Sequence, residues 1–350
     1  MVNKKQVYLQ NIVQYISAVF SISINFFLMA LIATKSPKQL GAYKYLMMII
    51  SIHEIGYSIV DIVVSPMFHS HQSTFMVLVI TKNRTLSPDV LEVLNAVFCG
   101  FFSFSLAIFA LHFIYRYLVA SGNKRLLSTF QSWKFFLWLS VPIFYGVSWS
   151  LLAYYLDAAN EETTAFAEKS ILEVLDLQTE DYVYLAAHFY EKLENGGYKI
   201  NVGSLISILI MQSYITSSVI VVLVFSVKCY RRINALVSKS TPSVNAQLLQ
   251  SQLFYALVTQ ALIPFILMHF PVGIMFSFAF LKWNIGSLTD IVSITISLYP
   301  ALDPLPTIFM VKHYRKGMFD WCRWLRNKTV KASKNRDVVA RRKTQSTEVS

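Results

Sequence analysis

Charged residues are scarce in this 350-residue chain: Asp, Glu, Lys and Arg make up 14% of it, where a soluble domain carries about a quarter. So little charge cannot solvate a surface of this length, which excludes a disordered chain and an ordinary cytosolic enzyme. Cysteine is scarcer still, and three Cys residues cannot build a disulfide framework. No segment repeats internally, which argues against transporters assembled from duplicated halves. No Gly-x-x-x-Gly helix-packing motif occurs either. Metal-ligand spacing, a phosphate loop and a Ser/His/Asp grouping are all missing, so neither an enzyme nor a bound cofactor is expected. What the chain has instead is apolar bulk: 55% hydrophobic residues, with 26 Phe and 19 Tyr. That composition predicts an all-α integral membrane protein.

A helix crosses a bilayer with about 20 apolar residues. Leu9–Ala33, Val93–Tyr115, Phe135–Tyr155, Ile200–Val227 and Phe254–Leu281 are that long and free of charge, while Tyr45–Met67 and Ile285–Val311 each carry two carboxylates. Seven spans result. The first is too long for a removable signal peptide, lacks a small-residue cleavage site, and reads as an anchor. Three parts are expected: a seven-helix bundle over residues 1–311, a short amphipathic interfacial helix over 312–326, and a basic, disordered cytoplasmic tail over 327–350.

Seven spans put the termini on opposite sides. With the N-terminus outside, 23 of the 31 Lys and Arg fall on the inner side, which favours an outer N-terminus and a cytoplasmic C-terminus. The longest loop, Asp157–Lys199, holds ten acids and three bases, as suits an outer face. Asn83-Arg84-Thr85 is a glycosylation sequon in the outer loop after span two, with Asn83 as acceptor. Sorted in this way, the net charge of +12 reports orientation and a cytoplasmic docking surface, and no nucleic-acid partner is expected.

Ionisable groups at the bilayer centre cost about 2.5–3.5 kcal/mol each, so each is a functional candidate. In span two Glu54, Ser58, Asp61 and Ser65 recur at helical spacing as one polar stripe, with His53 beside Glu54. Asp290, Ser293 and Ser297 form a similar stripe in span seven. Facing each other, the stripes would bury a polar network, read either as struts that orient helices or as part of ligand binding or switching. Arg116 ends span three between Tyr115 and Tyr117, either as a snorkelling anchor or as a contact for a cytoplasmic partner. Pro300, Pro304 and Pro306 surround Asp303 and must kink span seven near the cytoplasm. The kink is either plain structure or a hinge. In the interfacial helix, Met318, Cys322 and Leu325 share one face, with Phe319 and Trp321 nearby and Arg315, Lys316, Arg323 and Arg326 as cations for the inner leaflet. Cys322 reads either as a palmitoylation site or as an unmodified buried thiol.

Ser36-Pro37-Lys38-Gln39-Leu40-Gly41-Ala42-Tyr43-Lys44-Tyr45-Leu46 follows span one, and His112-Phe113-Ile114-Tyr115-Arg116-Tyr117 ends span three. Asp303-Pro304-Leu305-Pro306, followed by Lys312-His313-Tyr314-Arg315, ends span seven. Together, in this order and on this side, they resemble the nematode Str-type seven-transmembrane chemoreceptors, from about Tyr15 to Leu325. The resemblance implies a G-protein-coupled, olfactory-type receptor in the plasma membrane of a sensory cilium. Its partners would be a small environmental chemical, a heterotrimeric G protein and membrane lipids, and action as a dimer is left open. It also implies that Arg116 corresponds to the arginine that engages the G protein in rhodopsin-like receptors. Tyr115 stands where the usual acid precedes it, so an adjacent arginine–carboxylate lock cannot form. Asp303-Pro304 resembles the seventh-helix switch, with Thr307 at the position of the expected tyrosine. Cys99 sits where such a receptor anchors its second outer loop, yet that loop contains no Cys. The loop is expected to cover the pocket instead, through a short helix bearing Ile171, Leu172 and Leu175 and through Tyr182, Tyr184, Phe189 and Tyr190.

The pocket is expected among spans three, five, six and seven, with a largely aromatic wall. Depth and polarity select Phe102, Ser105, Gln212, His269 and Asp290 as lining residues. The rival reading is a transporter or ligand-gated channel that uses the intramembrane carboxylates as an ion path. It predicts uptake or current without a G protein. An insect-type odorant channel would need the reverse orientation, and intramembrane proteolysis would need a Gly-rich protease motif that Asp61 and Asp290 lack.

Overall fold

The long apolar runs fold as helices because a helix satisfies every backbone N–H and C=O within the segment, which a bilayer demands. In the computed structural model, residues 4–192, 197–237, 244–283 and 288–347 are described, and among them seven helices are long and apolar enough to cross a membrane. The spans are α1 (Lys4–Lys35), α2 (Tyr43–Val64), α3 (Pro88–Ser121), α5 (Phe135–Leu156) and α7 (Val202–Val237), then α8 with α9 (Val244–Pro264 and Phe270–Phe280), then α10 with α11 (Leu288–Leu302 and Pro304–Met310). A short α4 (Lys124–Thr129) lies between α3 and α5, and α6 (Glu161–Leu175) follows α5. The outward faces carry a lipid-compatible belt, such as Phe136, Leu137 and Phe144 on α5.

The centre of the bundle is α3, which packs against α2, α5, α7 and α8. Its approach to α5 depends on Gly100: a Cβ there would come within 2.6 Å of the Gly146 carbonyl oxygen and would clash with the Ser150 hydroxyl. Close packing through glycine is therefore present without a Gly-x-x-x-Gly motif.

Two spans are interrupted at prolines. Between α8 and α9 the chain makes one π-helical turn over Phe265–His269, flanked by Pro264 and Pro271, and the Phe270 N–H reaches back to the Phe265 carbonyl. Between α10 and α11, Pro304 cannot donate to the Pro300 carbonyl. Asn25 Nδ2 on α1 supplies the missing hydrogen bond at 3.1 Å.

The end of the bundle where spans two and three meet departs most from expectation. Span two does not run to Met67. It stops at Val64, where Ser65 adopts a left-handed conformation (φ 49°) ahead of Pro66. The Pro66 carbonyl accepts hydrogen bonds from Gln10 and Gln14 on α1. A hairpin follows, with β1 (Met67–His71) pairing with β2 (Thr74–Ile80). In turn β2 pairs antiparallel with β3 (Tyr182–His188), Phe75 opposite Ala187 and Leu78 opposite Tyr184. A second, two-stranded sheet joins β4 (Tyr190–Lys192) and β5 (Tyr198–Ile200). Strand alternation turns Phe75, Val77, Leu185 and Ala187 down onto the bundle and Met76, Leu78, Tyr184 and Ala186 up against Ile171 of α6. Of the three leucine-type residues expected to line one helix face there, Ile171 is buried, Leu172 is exposed, and the Leu175 side chain lies outside the described residues.

The C-terminal segment also differs. Lys312–Thr347 is assigned as one helix, α12, and no Gly or Pro after Gly317 interrupts it. The face that packs on the bundle carries Tyr314, Gly317, Met318 and Trp321. Cys322 and Leu325 are exposed, so Cys322 is not a buried thiol.

Candidate functional site

Under the sheet lies a small cavity. The sheet roofs it with Phe68, Phe75, Val77, Leu185 and Ala187, and the helices wall it with Phe98 and Phe102 of α3, Trp149 and Ala153 of α5, Met211 of α7, and Val272 and Phe276 of α9. Tilted and edge contacts order the wall: Phe102 lies 5.3 Å from Trp149 and Phe75 lies 4.5 Å from Phe276, centroid to centroid. Asp157, which caps α5, supplies the one charged side chain in this lining. Three elements hold it: its N–H donates to Ala153, its carbonyl accepts from Ala186 of β3, and its Oδ2 accepts from the Ser207 hydroxyl of α7 at 2.7 Å. Burial pushes the Asp157 carboxyl up to about 7, against the hydrogen bond from Ser207.

Three of the residues selected from the sequence meet at the base of this cavity. Phe102 contacts the His269 ring edge-on at 4.5 Å. The Ser105 hydroxyl donates to the Phe102 carbonyl and lies 3.3 Å from His269 Nε2. The π-helical turn is what aims His269 inward. Gln212 does not join them, because one helical step (about 100°) separates it from inward-facing Met211 and leaves it exposed. Asp290 lies on α10, and its side chain falls outside the described residues.

Deeper in the bundle the two polar stripes face each other. Ser58 donates to Ser21 of α1 at 2.7 Å, Asp61 lies against Ser297, and Ser293 accepts from the Phe68 N–H of the lid. Glu54 and Asp303 are both buried and face each other. Gln260 of α8 donates to Asp303 Oδ2 at 3.0 Å and accepts from Thr307 at 2.7 Å. Thr307, the departure from the expected tyrosine, thus ties span seven to span six.

At the inner end Arg116 is buried, with only 2% of its surface exposed, and does not snorkel. Its Nη2 donates to the Gln250 carbonyl of α8 at 2.8 Å and its guanidinium lies over the Tyr43 ring at 5.2 Å. Tyr43 in turn stacks on Tyr115, which packs edge-on against Phe130. Tyr117 points the other way, towards Phe225 of α7. This geometry holds span six against span three at the end of the bundle away from the sheet.

The family model described as serpentine type 7TM GPCR chemoreceptor Str matches residues 10–319. The chain belongs to this family. Among Str and related receptors of Caenorhabditis elegans, it is 34% identical to G-protein coupled receptor str-217 over 313 residues, covering 89% of each chain. It is 29% identical to serpentine receptor class r-10 over 301 residues, covering 85% of this chain and 86% of the relative. Squid rhodopsin superposes with a TM-score of 0.62 at 10% identity, over 93% of this chain and 87% of that one, which shows a shared seven-helix fold. This Str protein is therefore an integral membrane receptor of the G-protein-coupled type, in a family of receptors. Its outer loop carries no disulfide among the described residues, and all three cysteines are free.

Sequence reasoning missed the β-hairpin lid, Asp157 as a lining residue, and the roles of Asn25 and Gln260. Thr74–Ile80 offered a signal: an apolar run too short to span, rich in β-branched residues, reads as a strand. Asp157 offered none, being one of ten acids in its loop.

Proposed function

We propose that this Str receptor binds a small environmental chemical from outside, in the cavity beneath the β-sheet, and activates a heterotrimeric G protein on the inside. The N-terminus and the lid face outwards and α12 lies at the cytoplasmic surface of the plasma membrane, in a sensory cilium. The observation that carries the reading is Arg116: a buried guanidinium bound to span six closes the surface that a G protein would enter. Ligand contacts around Phe102 and His269 favour a state in which span six leaves span three and Arg116 is released. The Asp303–Gln260–Thr307 chain and the Asp303-Pro304 break supply the hinge between the two ends. Moving that equilibrium from 1:99 to 99:1 requires a ligand preference of about 5.5 kcal/mol for the open state. Asn83, exposed in a left-handed turn, would carry a glycan outside, and exposed Cys322 a palmitoyl chain inside.

The test is expression with a set of Gα subunits and a screen of volatile and soluble chemicals for calcium or cAMP changes. Arg116→Ala should abolish the response while leaving surface expression intact. An unchanged response in that variant removes Arg116 from the mechanism, and ligand-evoked current or uptake without any Gα subunit replaces the receptor reading with a channel or transporter.

A further inference from the structure

The outer cavity is almost wholly apolar, yet one carboxyl is built into its wall. Asp157 is 5% exposed, and its Oδ1 has no hydrogen-bond partner. The other oxygen accepts from Ser207. Among the described residues no basic side chain pairs with Asp157, the salt bridges there being Lys82–Asp181 and His188–Glu162. A buried carboxylate without a counter-ion is costly, and proteins retain one where a partner completes it. Its surroundings suit a cation: Phe98, Phe102 and Trp149 line the same cavity, and aromatic faces attract ammonium groups. Desolvation that leaves the acid at about 7 keeps the empty site near neutrality, and an ammonium ion beside it would hold it ionised.

We infer that Asp157 is the polar anchor of the cavity and that the ligand class it takes is a small lipophilic amine, bound as the ammonium ion with its hydrocarbon part among Phe102, Trp149 and Phe276. This deepens the receptor reading above and rests on it. The amine would donate one N–H to Oδ1 while Ser207 continues to hold Oδ2. The apolar walls would then select compact rings or short chains over polar or bulky amines.

Purified receptor in lipid nanodiscs can be titrated calorimetrically with benzylamine, benzyl alcohol and toluene, which share one ring and differ in the polar group. Wild type should bind benzylamine at least tenfold more tightly than toluene. Asp157→Asn should lose that preference and keep toluene binding within about threefold, which also shows that the variant is folded. Ala153→Phe, which fills the cavity, should abolish binding of both probes. If Asp157→Asn does not fold, Ser207→Ala serves instead: without the hydroxyl that favours the ionised carboxylate, the benzylamine-to-toluene ratio should narrow. The inference is overturned if wild type shows no preference for the amine, if Asp157→Asn retains it, if Ala153→Phe still binds, or if Ser207→Ala leaves the ratio unchanged. Signalling is read separately. Gα responses confined to neutral odorants overturn the amine assignment and leave the receptor standing, whereas amine binding through Asp157 with no Gα response overturns the receptor mechanism.

Discussion

The outer and inner halves of the bundle bury polar groups in opposite ways. In the outer half one carboxyl stands almost alone in an aromatic cavity, with half of its hydrogen-bonding capacity unused. In the inner half Asp303, Gln260 and Thr307 form a chain of short hydrogen bonds, and Arg116 is bound to a backbone carbonyl and an aromatic ring. Both halves keep unpartnered polar atoms, Asp157 Oδ1 in one and Asp303 Oδ1 and Arg116 Nε in the other. A carboxyl that faces a cavity is suited to receive a ligand, and groups that face each other between helices are suited to hold two helices until something displaces them. The difference teaches where each kind of variant should act: outer substitutions on binding, inner ones on the transmission of binding.

The strongest break of this comparison is Arg116→Ala. Gα activation should fall to the level of cells without receptor, while probe binding in the outer cavity of purified protein is kept or tightened, because losing the bond to Gln250 favours the open state that the ligand prefers. A comparable loss of binding would mean that the halves are not separable. Next comes the frame that both halves share. Gly100→Val forces a side chain into the Gly146 backbone and should cost about 3 kcal/mol or more, the upper range for overpacking. The melting temperature of detergent-solubilised receptor would fall by several degrees, and binding and signalling would be lost together.

A smaller effect sharpens the outer half. The Asp157 carboxyl sits at about 7 in the fold against 3.8 ordinarily, so between those values the folded state holds the proton more tightly than the unfolded one. Its contribution to stability is full below about 3.8 and is lost as pH rises towards 7, at most about 4 kcal/mol at 1.36 kcal/mol per unit. The groups facing it are the Ser207 hydroxyl and the Cys99 thiol. Melting temperatures at pH 5 and pH 8 should differ more in wild type than in Asp157→Asn, and equal differences would contradict the assignment. The smallest effect belongs to the rim of the lid. Lys82 and Asp181 pair at 2.8 Å in the open, each shifted by its hydrogen bond to the other, the lysine up and the aspartate down. Water and salt screen such a pair, so Lys82→Ala should leave melting and binding unchanged within error, and raising the salt concentration should erase any residue.

Much of this was legible along the chain. Seven apolar runs became seven spans because length and the absence of charge are local properties, and the three prolines around Asp303 broke span seven because a missing N–H acts at its own position. Depth and polarity along the chain pick out Phe102, Ser105 and His269, and the fold brings these three together. Gln212 is not brought to them, since one helical step decides whether a side chain faces neighbours or lipid, and the polar residues of α7 are scattered round the helix without a stripe to show its phase. Arg116 reads in sequence as a snorkelling anchor or a partner contact, and its burial removes the anchor reading.

The sequence by itself determined the class of this protein, its number of crossings and the family to which it belongs, because each rests on composition and motifs read in order. Only the tertiary structure decided that Thr74–Ile80 pairs with Tyr182–His188 across a hundred residues to roof a cavity, that Asn25 completes the Pro300 carbonyl, and that Asp157 faces aromatic rings instead of water. The reason is physical: hydrogen-bond partners, burial and counter-ions are properties of neighbours in space, and these neighbours are far apart along the chain.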